Sequence, residues 1–461
     1  MTNQKKSDIL LEAIRNGNTL TTTDKMNLIV GLSIPSILAQ ITSVLMFFID
    51  ASMVGHLGTG PSASIGLVES TTWLFGSITS AASMGFSVQV AHFIGANDFK
   101  KARQVFRHAL VATTILSICV VLIASAIAKP LPYWLGGGED IAHDASLYFL
   151  IFSLAVPFFQ LANLSGAMLK SSGDMRIPSV MSVMMCILDV AFNYVFIFIL
   201  KMGVMGAAIG TALAIFIGAM GQAYFAIFRN KILNLKQDSE PFQWIWKYIQ
   251  NALKIGSPMA FQSILMGGAQ IVSTMIVAPL GNIAIAANTF AITAESLCYM
   301  PGYGIGDAAT TLVGQSTGAR RPDICKSFAW MTIGSGMVIM ALMGLLMYVF
   351  APELMGLLTP IEEIKTLGAQ CLRIEAFAEP MFAASIVGYS ICVGAGDTLK
   401  PAMINLFSMW CIRLTLAAFL AKSYGLNGVW TAMAIELTLR GILFIIRIYR
   451  GRWMKSIVNN E

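Results

Sequence analysis

Twelve long apolar stretches constrain the fold of this chain more than any other feature. A helix needs about 20 predominantly apolar residues to cross the ~30 Å hydrocarbon core of a bilayer. The chain has twelve stretches of about that length or longer, at approximately 27–54, 62–91, 109–128, 145–169, 177–200, 203–228, 255–280, 283–313, 327–351, 367–394, 401–421 and 425–446. Only 12% of its residues are charged, and its mean hydropathy is +0.72, which is far from the range of soluble domains. The sequence predicts an all-α integral membrane protein with twelve transmembrane helices.

The apolar stretches do not fit the other structure that spans membranes, a closed β-barrel. A barrel shows alternating segments of about 10 residues, whereas these stretches are continuous and rich in Leu, Ile, Met and Ala. The first 25 residues are polar and lack the short apolar core and cleavage site of a signal peptide. We therefore expect no signal peptide, and we expect predicted helix 1 to act as the insertion signal.

Lysine and arginine residues are distributed unevenly between the two sides of the predicted membrane. The N-terminus, the connections after helices 2, 4, 6, 8 and 10, and the C-terminus hold 23 of them, while the other side holds only Lys129, Lys201, Lys365 and Lys422. Because positive residues favour the cytoplasmic side, both termini are predicted to be cytoplasmic in a plasma-membrane protein. The formal net charge of +6 mostly reflects this bias, so no nucleic-acid partner is expected.

Residues typical of metal centres and catalytic sites are scarce. The seven cysteines lie mainly within apolar stretches and form no Cys-x-x-Cys pair, and the four histidines lie near predicted helix ends. The sequence has no phosphate-binding Gly-x-x-x-x-Gly-Lys loop and no Gly-x-Ser-x-Gly nucleophile motif. We expect no cofactor, no ATP-driven transport and no enzyme activity. A membrane enzyme would need a polar cluster such as paired histidines, and none is visible.

The chain contains an internal repeat at an offset of 223 residues. At this spacing, prolines and glycines of the first half fall on the same residue types in the second half. The matched pairs are Pro35 and Pro258, Leu57-Gly58 and Leu280-Gly281, Val90 and Val313, Gly95-Ala96 and Gly318-Ala319, Pro157 and Pro380, Gly173-Asp174 and Gly396-Asp397, Pro178 and Pro401, and, after one deletion, Gly203 and Gly206 with Gly425 and Gly428. The repeat indicates a duplicated membrane bundle.

The repeat divides the chain into two predicted six-helix lobes. The N lobe is 27–228 and the C lobe is 255–446, with a cytoplasmic segment at 1–26, a cytoplasmic linker at 229–254 and a cytoplasmic tail at 447–461. Because each lobe has an even number of helices, both enter the membrane in the same direction, and an axis along the membrane normal relates them across a central cleft. This arrangement favours a transporter that works by rocking of the lobes. A channel or passive scaffold built from duplicated bundles is the alternative.

Several stretches in both halves resemble one transporter family. They are SIPSILAQITSVLMFFIDASMVGHLG, VQVAHFIGANDFKKA, KSSGDMRIPSVMS, GSPMAFQSILMGGAQIVSTMIVAPLGN, TTLVGQSTGARRP and GAGDTLKPAMIN. They are similar, in order and over essentially the whole chain, to the multidrug and toxic compound extrusion (MATE) family. The resemblance implies a twelve-helix antiporter that exports small organic, often cationic, compounds in exchange for Na⁺ or H⁺. We expect it to act in the lipid bilayer as a monomer.

Three acidic residues of the predicted N lobe lie in apolar stretches without any Lys or Arg. They are Asp50, Glu69 and Asp189. A carboxylate that faces hydrocarbon costs about 2.5–3.5 kcal/mol on insertion scales, so each isolated acid should face a cavity, carry a proton or hold a cation. Glu69 lies nearer the outer end of its helix and is predicted to be interfacial. The N lobe is therefore expected to be the better trap for a cation.

The resemblance also implies an N-lobe coupling site. The family uses an Asp on helix 1, an Asn and an Asp one turn apart on helix 5, and a Thr on helix 6; Asp50 and Thr211 match the first and the last. On helix 5 the order is reversed to Asp189 and then Asn193, which moves the charge by about 5.4 Å. These oxygen ligands suit Na⁺, and one protonatable carboxylate suits H⁺, so the coupling ion stays open. A hydrogen-bonded Asp189–Asn193 pair that only stabilises helix packing is the alternative.

The acidic residues of the predicted C lobe share their stretches with arginines. The acids are Glu295, Glu375, Glu379 and Glu436, and the arginines are Arg373, Arg413 and Arg440. We expect most of this charge to pair, with Glu436 and Arg440 one helical turn apart. Glu295 and Glu379 are predicted to meet at mid-membrane and attract a cationic substrate, and pairing of either with Arg413 is the alternative.

Two further comparisons limit the predicted function. One branch of the family carries a helix 7 glutamate as a C-lobe cation ligand, and the corresponding residue here is Met266, so that coupling site is predicted to be missing. A lipid-linked precursor flippase of the same wider superfamily is the alternative function. It would need a cationic cleft for anionic phosphates, and the isolated N-lobe charges are negative.

Overall fold

The structure, a computed structural model, describes residues 3–454, apart from the side chains of residues 3–5. The described chain is mostly helical, and π-turns extend α7, α8 and α15. In chain order the helices are α1 (Asn3–Arg15), α2 (Thr22–Gly55), α3 (Thr59–Gly95), α4 (Phe99–Ile127), α5 (Leu131–Trp134), α6 (Glu139–Ser171), α7 (Arg176–Tyr194), α8 (Gly203–Tyr224), α9 (Trp246–Val277), α10 (Asn282–Gly318), α11 (Pro322–Val349), α12 (Ala351–Leu358), α13 (Glu362–Ala376), α14 (Glu379–Gly394), α15 (Leu399–Phe407) and α16 (Leu414–Arg450).

These helices account for all twelve predicted spans. Within residues 3–454, nine helical segments are long and apolar enough to cross a membrane, and the bent pair α13 and α14 makes a tenth. The 37-residue α3 covers predicted helix 2. The 52-residue segment Leu399–Arg450 supplies both helix 11 and helix 12, because the backbone is not helical at Gly425. The prediction of an all-α, twelve-helix membrane protein is confirmed.

Glycines matched by the internal repeat adopt matching backbone conformations. Gly58 and Gly281 have φ angles of 114° and 103°, and Gly203 and Gly425 have φ angles of 60° and 61°. Positive φ angles of this kind strain residues that carry a Cβ. Each pair lies where one helix ends and the next begins. The repeat is therefore a repeat of helix boundaries as well as of residue types.

Residue contacts divide the chain into two compact units. Unit 1 contains residues 1–41 and 261–461, and unit 2 contains residues 42–260. The division falls inside α2 and inside α9, the two helices that the repeat relates, whereas the predicted lobes kept each of these helices whole. The lobe boundaries themselves stay a prediction.

Close helix packing explains why the division falls inside these two helices. In unit 1 the first part of α2 packs against α10, where a Cβ on Gly304 would lie 2.6 Å from the backbone nitrogen of Ile37. In unit 2 the first part of α9 packs against α3, where a Cβ on Gly256 would lie 2.8 Å from the carbonyl oxygen of Ala81. Glycine permits both approaches because it has no side chain.

The linker that precedes α9 is held against α4 by charged hydrogen bonds. Arg103 donates two 2.9 Å hydrogen bonds to the carboxylate of Asp238, and this contact lowers the pKa of Asp238 below its usual value. Arg107 donates to the Asp238 carbonyl at 2.9 Å, and the backbone N–H of Ile245 donates to His108 at 2.8 Å. Bidentate arginine–carboxylate pairs fix geometry as well as charge. The linker is thus an ordered part of unit 2.

Candidate functional site

A cavity of about 320 Å³ lies within unit 2. Its lining includes Asp50 from the second part of α2, Asn193 from α7 and Thr211 from α8. These are three of the four residues that the sequence analysis assigned to the coupling site. The cavity also has an aromatic wall, contributed in part by Phe47 and Tyr148. The structure therefore brings polar groups of three helices together at one cavity.

The amide of Asn193 connects these three helices. Its Nδ2 donates a 3.0 Å hydrogen bond to Oδ1 of Asp50 and lies 3.4 Å from Oγ1 of Thr211. The close approach of α7 and α8 depends on Gly210, where an added Cβ would lie 3.0 Å from the backbone nitrogen of Asn193 and would collide with its amide oxygen. A glycine next to Thr211 thus sets the distance between the two helices that carry the site.

Asp189 lies one turn before Asn193 and is completely buried. Neither of its carboxylate oxygens receives a hydrogen bond from any described residue, so the alternative of an Asp189–Asn193 hydrogen-bonded pair is not formed. Its carboxyl group instead interacts electrostatically with that of Asp50. Two adjacent carboxylates cannot both stay charged without a compensating cation. Two neighbouring carboxyl groups in a buried site are chemically suited to bind a proton or another cation.

Glu69, which the sequence analysis placed at the interface, lines the same cavity as Asp50. Its carboxylate oxygen lies 3.4 Å from the indole nitrogen of Trp73, and the Trp73 ring packs on Phe47 with 4.8 Å between the ring centroids. The sequence analysis did not predict this role for Glu69 and Trp73. The available signal was their i, i+4 spacing, which places both on one face of α3.

The buried acids and arginines of unit 1 form fewer ion pairs than the sequence analysis predicted. Glu436 is completely buried and binds both Arg413, at 2.7 Å, and Arg440, at 2.6 Å, and it also accepts a hydrogen bond from Ser408. Arg373 donates to the carbonyl oxygen of Tyr348 at 3.1 Å. Glu436 therefore pairs with two of the three arginines, one of them the predicted neighbour Arg440. The expectation that most of the charge in these stretches would pair was wrong.

The other three acids of this half form a cluster with one another. Glu295 from α10, Glu375 from α13 and Glu379 from α14 each place a carboxylate oxygen within 4.8 Å of the other two. We call these three residues the glutamate triad. Glu295 is 5% exposed, and Glu375 and Glu379 are 0% exposed. The predicted meeting of Glu295 and Glu379 thus includes a third acid, and the alternative ion pair with Arg413 is formed by Glu436 instead.

Comparisons with known proteins agree with this fold. The MatE family model matches residues 35–195 and 258–419, which begin at the first proline pair of the internal repeat. A curated relative from Thermotoga maritima, described as "Probable multidrug resistance protein NorM", is 26% identical over 443 residues, which are 93% of each chain.

Two solved structures share the fold. A MATE protein in complex with MaL6 superposes with a TM-score of 0.88 at 21% identity, over 93% of this chain and 97% of that one. A MOP superfamily transporter from Pyrococcus furiosus superposes with a TM-score of 0.87 at 21% identity, with the same coverage of both chains. Because the family model matches well over half of the sequence, this chain belongs to the multidrug and toxic compound extrusion (MATE) family of membrane transporters.

Proposed function

We propose that this protein is a cation-coupled antiporter that exports small organic, often cationic, compounds. The coupling ion, H⁺ or Na⁺, binds at Asp50, Asp189, Asn193 and Thr211. The observation that carries the proposal is the 3.0 Å hydrogen bond between Asn193 and Asp50 at a cavity, with the completely buried Asp189 one turn before Asn193. The description of the Thermotoga maritima relative as a multidrug resistance protein supports drug-like substrates.

The carboxyl pair supplies a physical reason for exchange. Either a coupling ion or a cationic substrate can neutralise Asp50 and Asp189. Binding of one weakens binding of the other, because both compete for the same negative charge. For Na⁺ the ligands are carboxylate, amide and hydroxyl oxygens, which suit a hard cation. For H⁺ the two carboxyl groups share one proton. When the coupling ion leaves, the negative charge of Asp50 and Asp189 becomes available to a cationic substrate, as antiport requires.

The cavity suits an organic cation in size and lining. Its volume of about 320 Å³ lies at the lower end of the range for small-molecule pockets. The faces of Phe47, Trp73 and Tyr148 attract positive charge through their ring quadrupoles, and Glu69 adds a carboxylate. An anionic lipid phosphate would be repelled by these acids, which disfavours the flippase alternative.

The remaining parts of the proposal follow from the sequence. Both termini are cytoplasmic in the plasma membrane, because Lys and Arg concentrate on that side. Transport proceeds by rocking of two repeat-related halves, as in other transporters with parallel repeats. The protein acts as a monomer and needs no cofactor other than its coupling ion.

Efflux of a fluorescent organic cation from cells that carry the protein tests this function. The Na⁺ gradient and the proton gradient are collapsed separately, with empty-vector cells as the control. We expect efflux to fall to the empty-vector rate when one of the gradients is removed, and that gradient identifies the coupling ion. Efflux that continues at full rate after both gradients are removed would contradict cation coupling.

A further inference from the structure

We propose that a row of exposed aromatic rings in the linker before α9 is a docking surface for an anionic phospholipid of the membrane. The segment reads PFQWIWK and covers residues 241–247. We call its three rings, Phe242, Trp244 and Trp246, the aromatic row. The row lies within unit 2, outside the cavity that Asp50 lines. The inference therefore goes beyond the proposed function and does not depend on it.

The three rings of the aromatic row are neighbours and are half exposed. The ring centroids of Phe242 and Trp244 lie 6.1 Å apart, and those of Trp244 and Trp246 lie 6.4 Å apart. Their side chains are 45%, 44% and 57% exposed, respectively. Alternate residues of an extended segment share one face, so the rings form one continuous apolar surface. Tryptophan concentrates where a membrane meets water, and such a surface suits that environment better than bulk water.

Two membrane-spanning helices place the aromatic row at the edge of the bilayer. Trp246 is the first residue of α9, whose 32 residues extend about 48 Å. This length exceeds the ~30 Å hydrocarbon core, so the first turns of α9 reach the headgroup layer. On α4, the ring of His108 contacts Phe242 and Trp244 at centroid distances of 4.8 Å and 5.3 Å. His108 directly precedes the apolar stretch that begins at residue 109, so both helices put the rings at the level of the lipid headgroups.

His108 holds the aromatic row in position. Its Nε2 accepts a 2.8 Å hydrogen bond from the backbone N–H of Ile245, and its Nδ1 lies 2.7 Å from the carbonyl oxygen of Gln104. The segment between Trp244 and Trp246 is thus tied to α4 on the side away from its exposed rings. A surface that is already ordered loses little conformational entropy when it binds a partner.

The surface around the aromatic row carries an excess of positive charge. Residues 97–107 and 229–254 contain nine Lys or Arg and three acidic residues. Both acids of the linker are already paired, Asp238 with Arg103 at 2.9 Å and Glu240 with Lys100 at 2.7 Å. Lys247 directly follows Trp246 and is exposed. Each basic residue near a membrane surface strengthens attraction to anionic lipid about fivefold, so the charge favours an anionic headgroup over a neutral one.

A cavity of about 130 Å³ beside Phe242 can receive the phosphate of such a headgroup. Its lining includes Lys100 and Arg107, together with the two paired acids Asp238 and Glu240. Arg107 donates hydrogen bonds to the backbone carbonyls of Asp238 and Glu240, at 2.9 Å and 3.1 Å. These carbonyls are neutral, so the cavity keeps a positive charge. Guanidinium groups match the geometry of phosphate oxygens, which the neighbouring aromatic row complements with an apolar surface for the rest of the lipid.

Binding of phosphatidylglycerol to purified full-length protein in detergent tests the proposal, with phosphatidylcholine as the comparison lipid without net charge. Native mass spectrometry gives the Kd of each lipid. We expect phosphatidylglycerol to bind at least about fivefold more tightly. Lys247→Gln changes an exposed side chain and should weaken phosphatidylglycerol about fivefold, with phosphatidylcholine unchanged. Trp244→Ala/Trp246→Ala should weaken both lipids, because the rings contact the apolar part that the two lipids share.

Each variant has a matched control. Lys422→Gln removes an exposed lysine that is predicted to lie on the opposite side of the membrane, and Trp134→Ala removes an exposed tryptophan of α5; neither should change the Kd of either lipid. Equal Kd values for the two lipids, equal losses in Lys422→Gln and Lys247→Gln, or an unchanged Kd in Trp244→Ala/Trp246→Ala would overturn the assignment. Tighter binding of phosphatidylethanolamine than of phosphatidylglycerol would also overturn it, because the acids of the cavity would then select an ammonium group. A failure of cation coupling in the efflux assay would leave this binding result intact.

Discussion

Asp189→Asn is expected to reduce the export of a fluorescent organic cation to the rate of empty-vector cells. Coupling between two ligands is typically worth about 1–3 kcal/mol, or 5–150-fold in affinity, and this substitution removes the charge for which ion and substrate compete. The amide has the same shape as the carboxylate, so packing around this completely buried side chain is preserved. The comparison is made in cells at equal expression.

Asp50→Asn should have the same effect, because the proposed coupling ion binds to both carboxyl groups. The hydrogen bond that Asn193 donates to Asp50 can be kept by the new amide oxygen, so a loss of export reports charge and not structure. Glu139→Gln is the matched control, since it removes an exposed carboxylate at the start of α6. If both aspartate variants export normally, the coupling site has been assigned to the wrong residues.

Glu436→Gln is expected to destabilise the protein by about 3–5 kcal/mol, the cost of removing one partner of a buried ion pair. The substitution leaves Arg413 and Arg440 next to each other without their shared carboxylate, and Arg440 is 8% exposed. Thermal unfolding in detergent, followed by the loss of monodisperse protein, measures the effect. We expect a clearly lower Tm and a lower yield of folded protein.

Two comparisons separate this effect from a general sensitivity of buried acids. Arg413→Gln should cost less, because Glu436 keeps Arg440 at 2.6 Å. Glu375→Gln should lower the Tm less, because the Glu375 side chain has no hydrogen-bond partner among the described residues and the amide keeps the shape of the carboxyl group. A wild-type Tm for Glu436→Gln would show that the two arginines find other partners.

Much of the fold could be predicted because the membrane restricts the choices. The length of each apolar stretch is enough to identify a spanning helix. The 223-residue repeat matches Gly203 with Gly425, and these two glycines have nearly the same φ angle. The bend between α13 and α14 was missed, although Pro380 was a visible signal. The division within α2 and α9 depends on which helices touch, and helix lengths contain no such information.

The candidate site was only partly predictable. Helical spacing places Asp189 and Asn193 on one face of α7, but the contact between Asn193 and Asp50 joins residues 143 positions apart. The sequence resemblance, not the periodicity, suggested that contact.

Counting charges was misleading in the second half of the chain. Arg413 and Arg440 both bind Glu436, because Arg440 is one turn away on the same helix and Arg413 comes from the preceding segment. A count of acids and arginines in each stretch cannot show which of them pair. For this reason the sequence analysis did not predict the glutamate triad.

Competition between ion and substrate at Asp50 and Asp189 is the central claim, and binding to purified protein tests it most directly. A fluorescent organic cation is titrated at several Na⁺ concentrations and at several pH values. For the coupling ion we expect the apparent Kd to rise in proportion to the ion concentration, and this dependence should disappear in Asp189→Asn. A Kd that is independent of both Na⁺ and pH, or a dependence that persists unchanged in Asp189→Asn, would contradict the account.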